Sequence, residues 1–180
     1  MKKIMFNDRY GLTKAVLGGR KTMIRRIVRN PKEVEINSHK YLQTEKLRYK
    51  VGEIVAVSQP YKDVFTNGLV NPFVAKAGWT NKMFVRADLM PYQIRITNIH
   101  IERLQEISDK DCMREGIYVS KTEPFVPNGY SPYCANDPKE PKEWFHTPRE
   151  AFAALIDKVS GRGTWESNPW VFVYQFELVE

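Results

Sequence analysis

The run GGRKTMIRRIV, residues 18–28, sets Arg20, Lys21, Arg25 and Arg26 in a segment that otherwise reads as a β-strand, with the hydroxyl of Thr22 among them. Such residues suit two sorts of chemistry. Guanidinium forks grip phosphate or a base edge through parallel hydrogen bonds. An amine crowded by positive charge and burial holds its proton less tightly and becomes a usable base; in the plainer reading it is an anion contact or one half of an ion pair. The period of two in a strand puts Lys21, Met23 and Arg25 on one face and Thr22 on the other. Two further residues carry open alternatives. Arg95, on an alternating strand, is either a phosphate fork or an exposed sheet-face arginine, and Trp79, in a polar loop, is either a stacking platform for a base or core packing. Cys112 and Cys134 show no CxxC or CxH spacing and His39, His100 and His146 stand apart, so no zinc site, disulfide framework or cofactor is expected.

Charge narrows the partner. Residues 1–50 hold 14 Lys and Arg against 4 Asp and Glu, whereas residues 51–180 hold 14 against 17, so the net +7 is a +10 half joined to a −3 half. A basic half of this kind points to a polyanion such as nucleic acid, with a solubilising surface as the alternative. The N-terminal MKKIMFNDR has no signal-peptide core, and the longest apolar run, AFAALI at 151–156, is far short of the roughly 20 residues that span a bilayer. The expected setting is the reducing cytoplasm. At 180 residues the chain fits one domain, 1–180, with a core of its own.

The elements that must position these side chains are legible in outline. KKIMF at 2–6 opens as a short strand; Asp8 offers an N-cap to RYGLTKAVL; Gly18 and Gly19 end that helix and let the chain re-emerge as KTMIRRIV. Residues 29–48 read as a charged surface excursion. IVAV at 54–57 is a buried strand, KMFVRADLMP a short strand ending at Pro91, and YQIRITNIHIERL a long strand whose apolar phase slips between Ile96 and Ile99, which predicts a bulge near Thr97 or Asn98. Ser108 and Asp111 open a short helix that Gly116 stops. A long loop at 118–147 carries Pro124, Pro127, Pro132, Pro138 and Pro141, and TPRE at 147–150 then starts a helix with Phe152, Leu155, Ile156 and Val159 on one face. PWVFVYQFELV at 169–179 alternates through a final strand. Strands linked by loops and short helices, without βαβ alternation, predict an α+β fold built on a small, mostly antiparallel barrel or curved sheet.

Gly19, Lys21 and Arg26 give G-x-K-x-x-x-x-R on a helix-to-strand turn, which resembles the signature of the ASCH family, a group with a PUA-like β-barrel. The order of the blocks RYGLTKAVLGGRKT, VGEIVAV, MPYQIRI, IERLQEISDKDCMREGI and GTWESNPWVFVYQFEL is similar to that of phage- and prophage-type ASCH proteins. The resemblance implies a PUA-like barrel with short helices between its strands, and a basic cleft for RNA or a modified nucleotide. It covers most of the chain apart from 29–48 and the Pro-rich loop. One branch of the family is an amidohydrolase that deacylates N4-acetylcytidine with a lysine, a threonine three residues later and a glutamate at a helix end. By that resemblance the lysine is Lys21 and the glutamate is Glu115, while the threonine position holds Ile24, which leaves Thr22 or a held water as the stand-in. The residues expected at the ligand are thus Lys21, Glu115 and Thr22 for chemistry, and Gly19, Arg20, Lys21, Arg25, Arg26, Arg95 and Trp79 for binding.

Overall fold

The computed structural model describes residues 1–32, 47–65, 77–120, 125–126, 129–130, 132–135 and 143–179. Most of the expected excursion at 29–48 and much of the Pro-rich loop lie outside these residues. In chain order the elements are β1 (Lys2–Ile4), α1 (Leu12–Leu17), β2 (Met23–Ile27), β3 (Ile54–Val57), α2 (Tyr61–Val64), β4 (Gln93–Arg103), α3 (Asp109–Arg114), β5 (Tyr118–Val119), β6 (Phe125–Val126), β7 (Gly129–Tyr130), β8 (Tyr133–Cys134), β9 (Trp144–Phe145), α4 (Pro148–Ser160), α5 (Thr164–Ser167) and β10 (Trp170–Val179). Five strands form one sheet in the order β1-β3-β4-β10-β2, with β5-β8-β9 as a small antiparallel sheet and β6-β7 as a two-stranded ribbon.

β10 is central because both its faces are apolar. Over residues 171–176 its aromatic residues alternate with Val171 and Val173, so that part of the strand is buried on both sides, while Glu177 beyond it is exposed. It pairs antiparallel with β4 on one side and with β2 on the other, which sets Phe172 between Ile101 and Arg26, and Val173 between His100 and Arg25. The register jumps from Gln175 opposite Asn98 to Phe176 opposite Ile96, so Thr97 is the extra residue of the bulge that the phase slip predicted. Around the sheet, Ile4, Met23, Val55, Ile94 and Ile96 join Phe152 and Leu155 of α4 in the main core.

The fold is the mixed α+β, mostly antiparallel arrangement expected, with one difference. The sheet is not a closed barrel: β1 pairs in parallel with β3 over three residues, and no pairing joins β1 to β2 among the described residues. The chain leaves β1 too soon, because Asn7 accepts a hydrogen bond from Arg9 N and turns it into a 3-10 helix at Asp8–Tyr10. That turn also displaces the expected cap. Gly11, at φ 66°, separates the 3-10 turn from α1, and Asp8 instead pairs with Lys82 at 2.8 Å. The short strand expected in KMFVRADLMP is two 3-10 turns, Lys82–Phe84 and Ala87–Leu89. Asn81 caps the first, and Lys3 Nζ takes the carbonyls of Met83 and Val85, so these residues bond to a side chain and not to a neighbouring strand. α4 starts at a reciprocal Thr147/Glu150 capping box with Pro148 in its first turn, as TPRE predicts.

Candidate functional site

Lys21 is placed by its backbone before its side chain matters. Gly18 ends α1, and Gly19, at φ 70°, reverses the chain so that Lys21 N can donate back to Ala15 O at 2.8 Å. Three successive residues of this turn then meet three successive residues at the end of α3. Arg20 Nη1 donates to Gly116 O, Lys21 Nζ to Glu115 O at 2.7 Å, and Thr22 N to Arg114 O at 2.9 Å. Gly116 is required here: its φ is 107°, and a Cβ would sit 3.3 Å from Leu12 and 3.5 Å from the Lys21 stem. This stitching presents Glu115 Oε2 to Lys21 Nζ at 2.6 Å, with the two residues 4% and 2% exposed.

The pair is part of a larger buried network. Arg25 Nη1 donates to Glu115 Oε1 at 2.9 Å, while its Nε and Nη2 both reach Glu102 Oε1, at 2.9 and 2.7 Å, and His100 Nε2 lies 3.2 Å from Glu102 Oε2. Two cations and two carboxylates therefore balance. Burial pushes the Lys21 ammonium below its ordinary pKa; the Glu115 carboxylate opposes that shift, and Arg25 and Arg20 add to it. For Arg25, burial works against the charge but Glu115 and Glu102 outweigh it, so its pKa is raised. Burial likewise works against the Glu102 carboxylate, and the hydrogen bond from His100 and the charge of Arg25 outweigh it, leaving its pKa below the ordinary value.

Lys21, Arg25 and Glu115 open onto a cavity of about 1070 Å³. It lies where a closed barrel would join its edges, between β2 and the Met5–Asp8 segment that follows β1, and α4 contributes Phe152, Leu155, Ile156 and Val159 to its wall. Phe6, Phe172 and Tyr174 supply aromatic surface, and Ile24 faces the cavity as well. The wall is divided about evenly between apolar and polar side chains, and charged groups converging on a concave surface are a feature of ligand sites.

The residues expected at the ligand divide. Lys21, Glu115, Arg25 and Arg26 come together at the cavity. Arg25 does so as a tie, its N–H groups committed to two carboxylates. Arg20 anchors the turn through Gly116 O and stacks over Tyr118 at 5.7 Å, and Gly19 shapes the turn. Thr22 does not join them: it precedes β2, its hydroxyl accepts from Arg114 Nε at 3.1 Å at the end of α3, and it lies outside the cavity wall, although Ile24 and Arg26 of the same strand phase reach it. Arg95 pairs with Glu177 across exposed sheet surface at 3.3 Å. Trp79 packs half-buried on a satellite cluster of Ala56, Tyr61, Val85 and Met90. Sequence reasoning missed Glu102, whose only signal was that His100 and Glu102 alternate with Ile99 and Ile101 and so share the face opposite the isoleucines. It also missed Arg48, which no spacing links to the G-x-K turn. Among the described residues no group of His, Cys, Asp or Glu is placed to hold a metal ion, and no helix is long and apolar enough to cross a membrane.

No family model and no curated protein matches the chain. Among solved structures it is similar to an Enterococcus faecalis protein of family DUF984, at 14% identity and a TM-score of 0.46, over 99% of this chain and 80% of that one. It is also similar to an ASCH domain from Lactobacillus crispatus, at 11% identity and a TM-score of 0.37, over 93% of this chain and 69% of that one. Both TM-scores are under 0.5, so neither likeness bears on what the cavity holds.

Proposed function

We propose that the cavity binds a nucleobase-bearing ligand, RNA or a modified nucleotide, with the base directed at the Lys21–Glu115 pair. The observation that carries this reading is that pair itself: an ammonium and a carboxylate, buried and 2.6 Å apart, facing a cavity with aromatic walls. Two of the three N–H donors of Lys21 are committed to Glu115, leaving one for a ligand, while each Glu115 oxygen retains a lone pair. A donor beside an acceptor matches the edge of a base that presents an acceptor beside an amino group. Phe172, half-buried on the cavity wall beside the buried rings of Phe6 and Tyr174, is the aromatic residue placed for stacking, which typically contributes about 1–3 kcal/mol per base. Equilibrium binding of nucleosides and short RNAs at low salt tests the reading. Affinity in the micromolar range that is lost in Lys21→Met is the expected result; no binding by any of them refutes it.

A second reading, hydrolysis of an N4-acylated cytidine, is favoured by one observation. Burial and neighbouring cations lower the pKa of Lys21, which brings an amine toward base chemistry while Glu115 orients it. With Ile24 at the cavity and Thr22 outside it, the nucleophile in this reading is a water held between Lys21 and Glu115. Release of cytidine from N4-acetylcytidine by the wild type, absent in Lys21→Ala, is the expected result, and no turnover at all refutes it.

A further inference from the structure

The cavity wall carries six cationic side chains and two carboxylates. Three of the cations are matched: Lys21 and Arg25 by Glu115 and Glu102, and Lys82 by Asp8. Arg26, Arg29 and Arg48 have no carboxylate partner among the described residues. Arg26 stands out, since its Nε is buried and accepted by no hydrogen-bond partner. A buried guanidinium N–H left unpaired costs on the order of 1–3 kcal/mol, and native structures rarely retain one without a reason.

The surroundings of Arg26 say what would satisfy it. In the sheet it lies opposite Phe172, two pairs along from Ile24 and Tyr174, so it shares the aromatic face of β2 and β10. The Tyr174 ring meets the Tyr49 ring edge-on at 5.5 Å, and Arg48 extends over Tyr49, its charge 5.7 Å from the ring centre and its Nε donating to the Tyr49 hydroxyl at 3.1 Å. Arg48 thus lines the cavity beside a tyrosine that orients it, and among the described residues its terminal nitrogens pair with no carboxylate. Burial, together with the like charge of Arg48, lowers the pKa of Arg26. An anion seated between the two guanidinium groups reverses the repulsion and fills the empty hydrogen-bonding position, and phosphate oxygens suit the planar fork.

We propose that Arg26 and Arg48 form an anion subsite that takes the phosphate of a nucleotide, either a terminal phosphate or an RNA phosphodiester, within the cavity that Lys21 and Glu115 also line. The inference rests on the reading of the cavity as a nucleobase site and assigns the charge-balanced Lys21–Glu115 pair to the base and the unmatched arginines to the phosphate. Arg48 is the new element: it is exposed, belongs to neither the G-x-K turn nor β2, and lines the cavity beside Tyr49, whose ring packs on Tyr174.

Calorimetric titration of the full chain with cytidine, cytidine 5′-monophosphate, the dinucleotide cytidylyl-cytidine and inorganic phosphate tests it. The monophosphate, the dinucleotide or both should bind at least about tenfold more tightly than cytidine, the scale of one charge-assisted hydrogen-bond pair. That margin should disappear in Arg26→Ala and in Arg48→Ala, and it should persist in Arg86→Ala, at an exposed arginine outside the cavity. Whichever phosphate form gains the margin identifies the source. Arg48→Ala alters an exposed side chain, so the test stands even if Arg26→Ala folds poorly. Cytidine binding as tightly as both phosphate forms, or a margin unchanged in Arg48→Ala, overturns the subsite and leaves the nucleobase reading intact; no binding of any probe overturns both.

Discussion

Replacing Glu115 by Gln keeps the shape of the side chain and removes its charge from between two buried cations. In the wild type Glu115 accepts from Lys21 at 2.6 Å and from Arg25 at 2.9 Å. The amide of Gln can accept from one of them but must turn an N–H toward the other, so one cation faces a donor with no water to relieve it. Removing one partner of a buried ion pair typically costs about 3–5 kcal/mol, because a charge is left uncompensated. Here the lower end applies. Lys21 keeps the Glu115 main-chain carbonyl at 2.7 Å and Arg25 keeps Glu102 at 2.7 Å. A loss of about 3 kcal/mol, with a urea dependence of roughly 2 kcal/mol per molar, lowers the unfolding midpoint by about 1.5 M. The assay is urea unfolding followed by tryptophan fluorescence, together with the cycle Lys21→Met, Glu115→Gln and the double variant. Coupling between the two positions should be about 1–3 kcal/mol, since the double variant no longer buries the ammonium that the single Glu115 variant strands. A Glu115→Gln loss below about 0.5 kcal/mol, the size of an ordinary surface substitution, would falsify the claim that this pair is buried and mutually dependent.

The same network sets how stability responds to pH, in two directions. Lys21 has a folded pKa below the 10.5 of an ordinary lysine, so between those two values the unfolded chain binds the extra proton and stability rises with pH. Glu115→Gln removes a charge that raises the Lys21 pKa and should extend that rising limb toward neutrality. Glu102 has a folded pKa below the ordinary 4.5, so its contribution is present above pH 4.5 and is lost as pH falls through the folded value. Unfolding midpoints measured from pH 3 to 10 check both signs, and a flat acid limb in wild type counts against the Arg25–Glu102 contact. Cys112, fully buried, has its thiol pushed up to about 12 by desolvation. Iodoacetamide at pH 8 should therefore leave Cys112 unmodified in the folded chain and alkylate it in urea; rapid modification of Cys112 in the native state would contradict the packing of α3.

Local signals carried a good part of this protein. The capping box at Thr147 and Glu150, the glycines that end α1, the Ser108 cap and the phase slip at Thr97 each act within a few residues, through hydrogen bonds and side-chain period that neighbours alone determine. The alternation in residues 169–179 was equally plain as a strand, though its central place between β4 and β2 came only with the sheet. Lys21 and Arg26 could be marked as ligand candidates because a helix stop, a turn and a strand follow one another directly around them.

What the tertiary structure decided was which charges are spent on one another. Arg25 and Arg26 are adjacent in sequence and chemically alike, yet the strand period sends one toward Glu115 and Glu102 and the other to the aromatic face, where its Nε has no partner. Glu115 lies 94 residues from Lys21 and Glu102 lies 77 from Arg25, separations at which no local pattern specifies a contact. Arg48 lines the cavity beside Tyr49, whose ring packs on Tyr174 from a distant part of the chain. Sequence determined which elements form and which side chains carry charge. The pairing of β10 between β4 and β2, together with the unclosed edge beside β1, determined which of those charges remain available to a ligand, because that depends on distances between segments that only the folded sheet brings together.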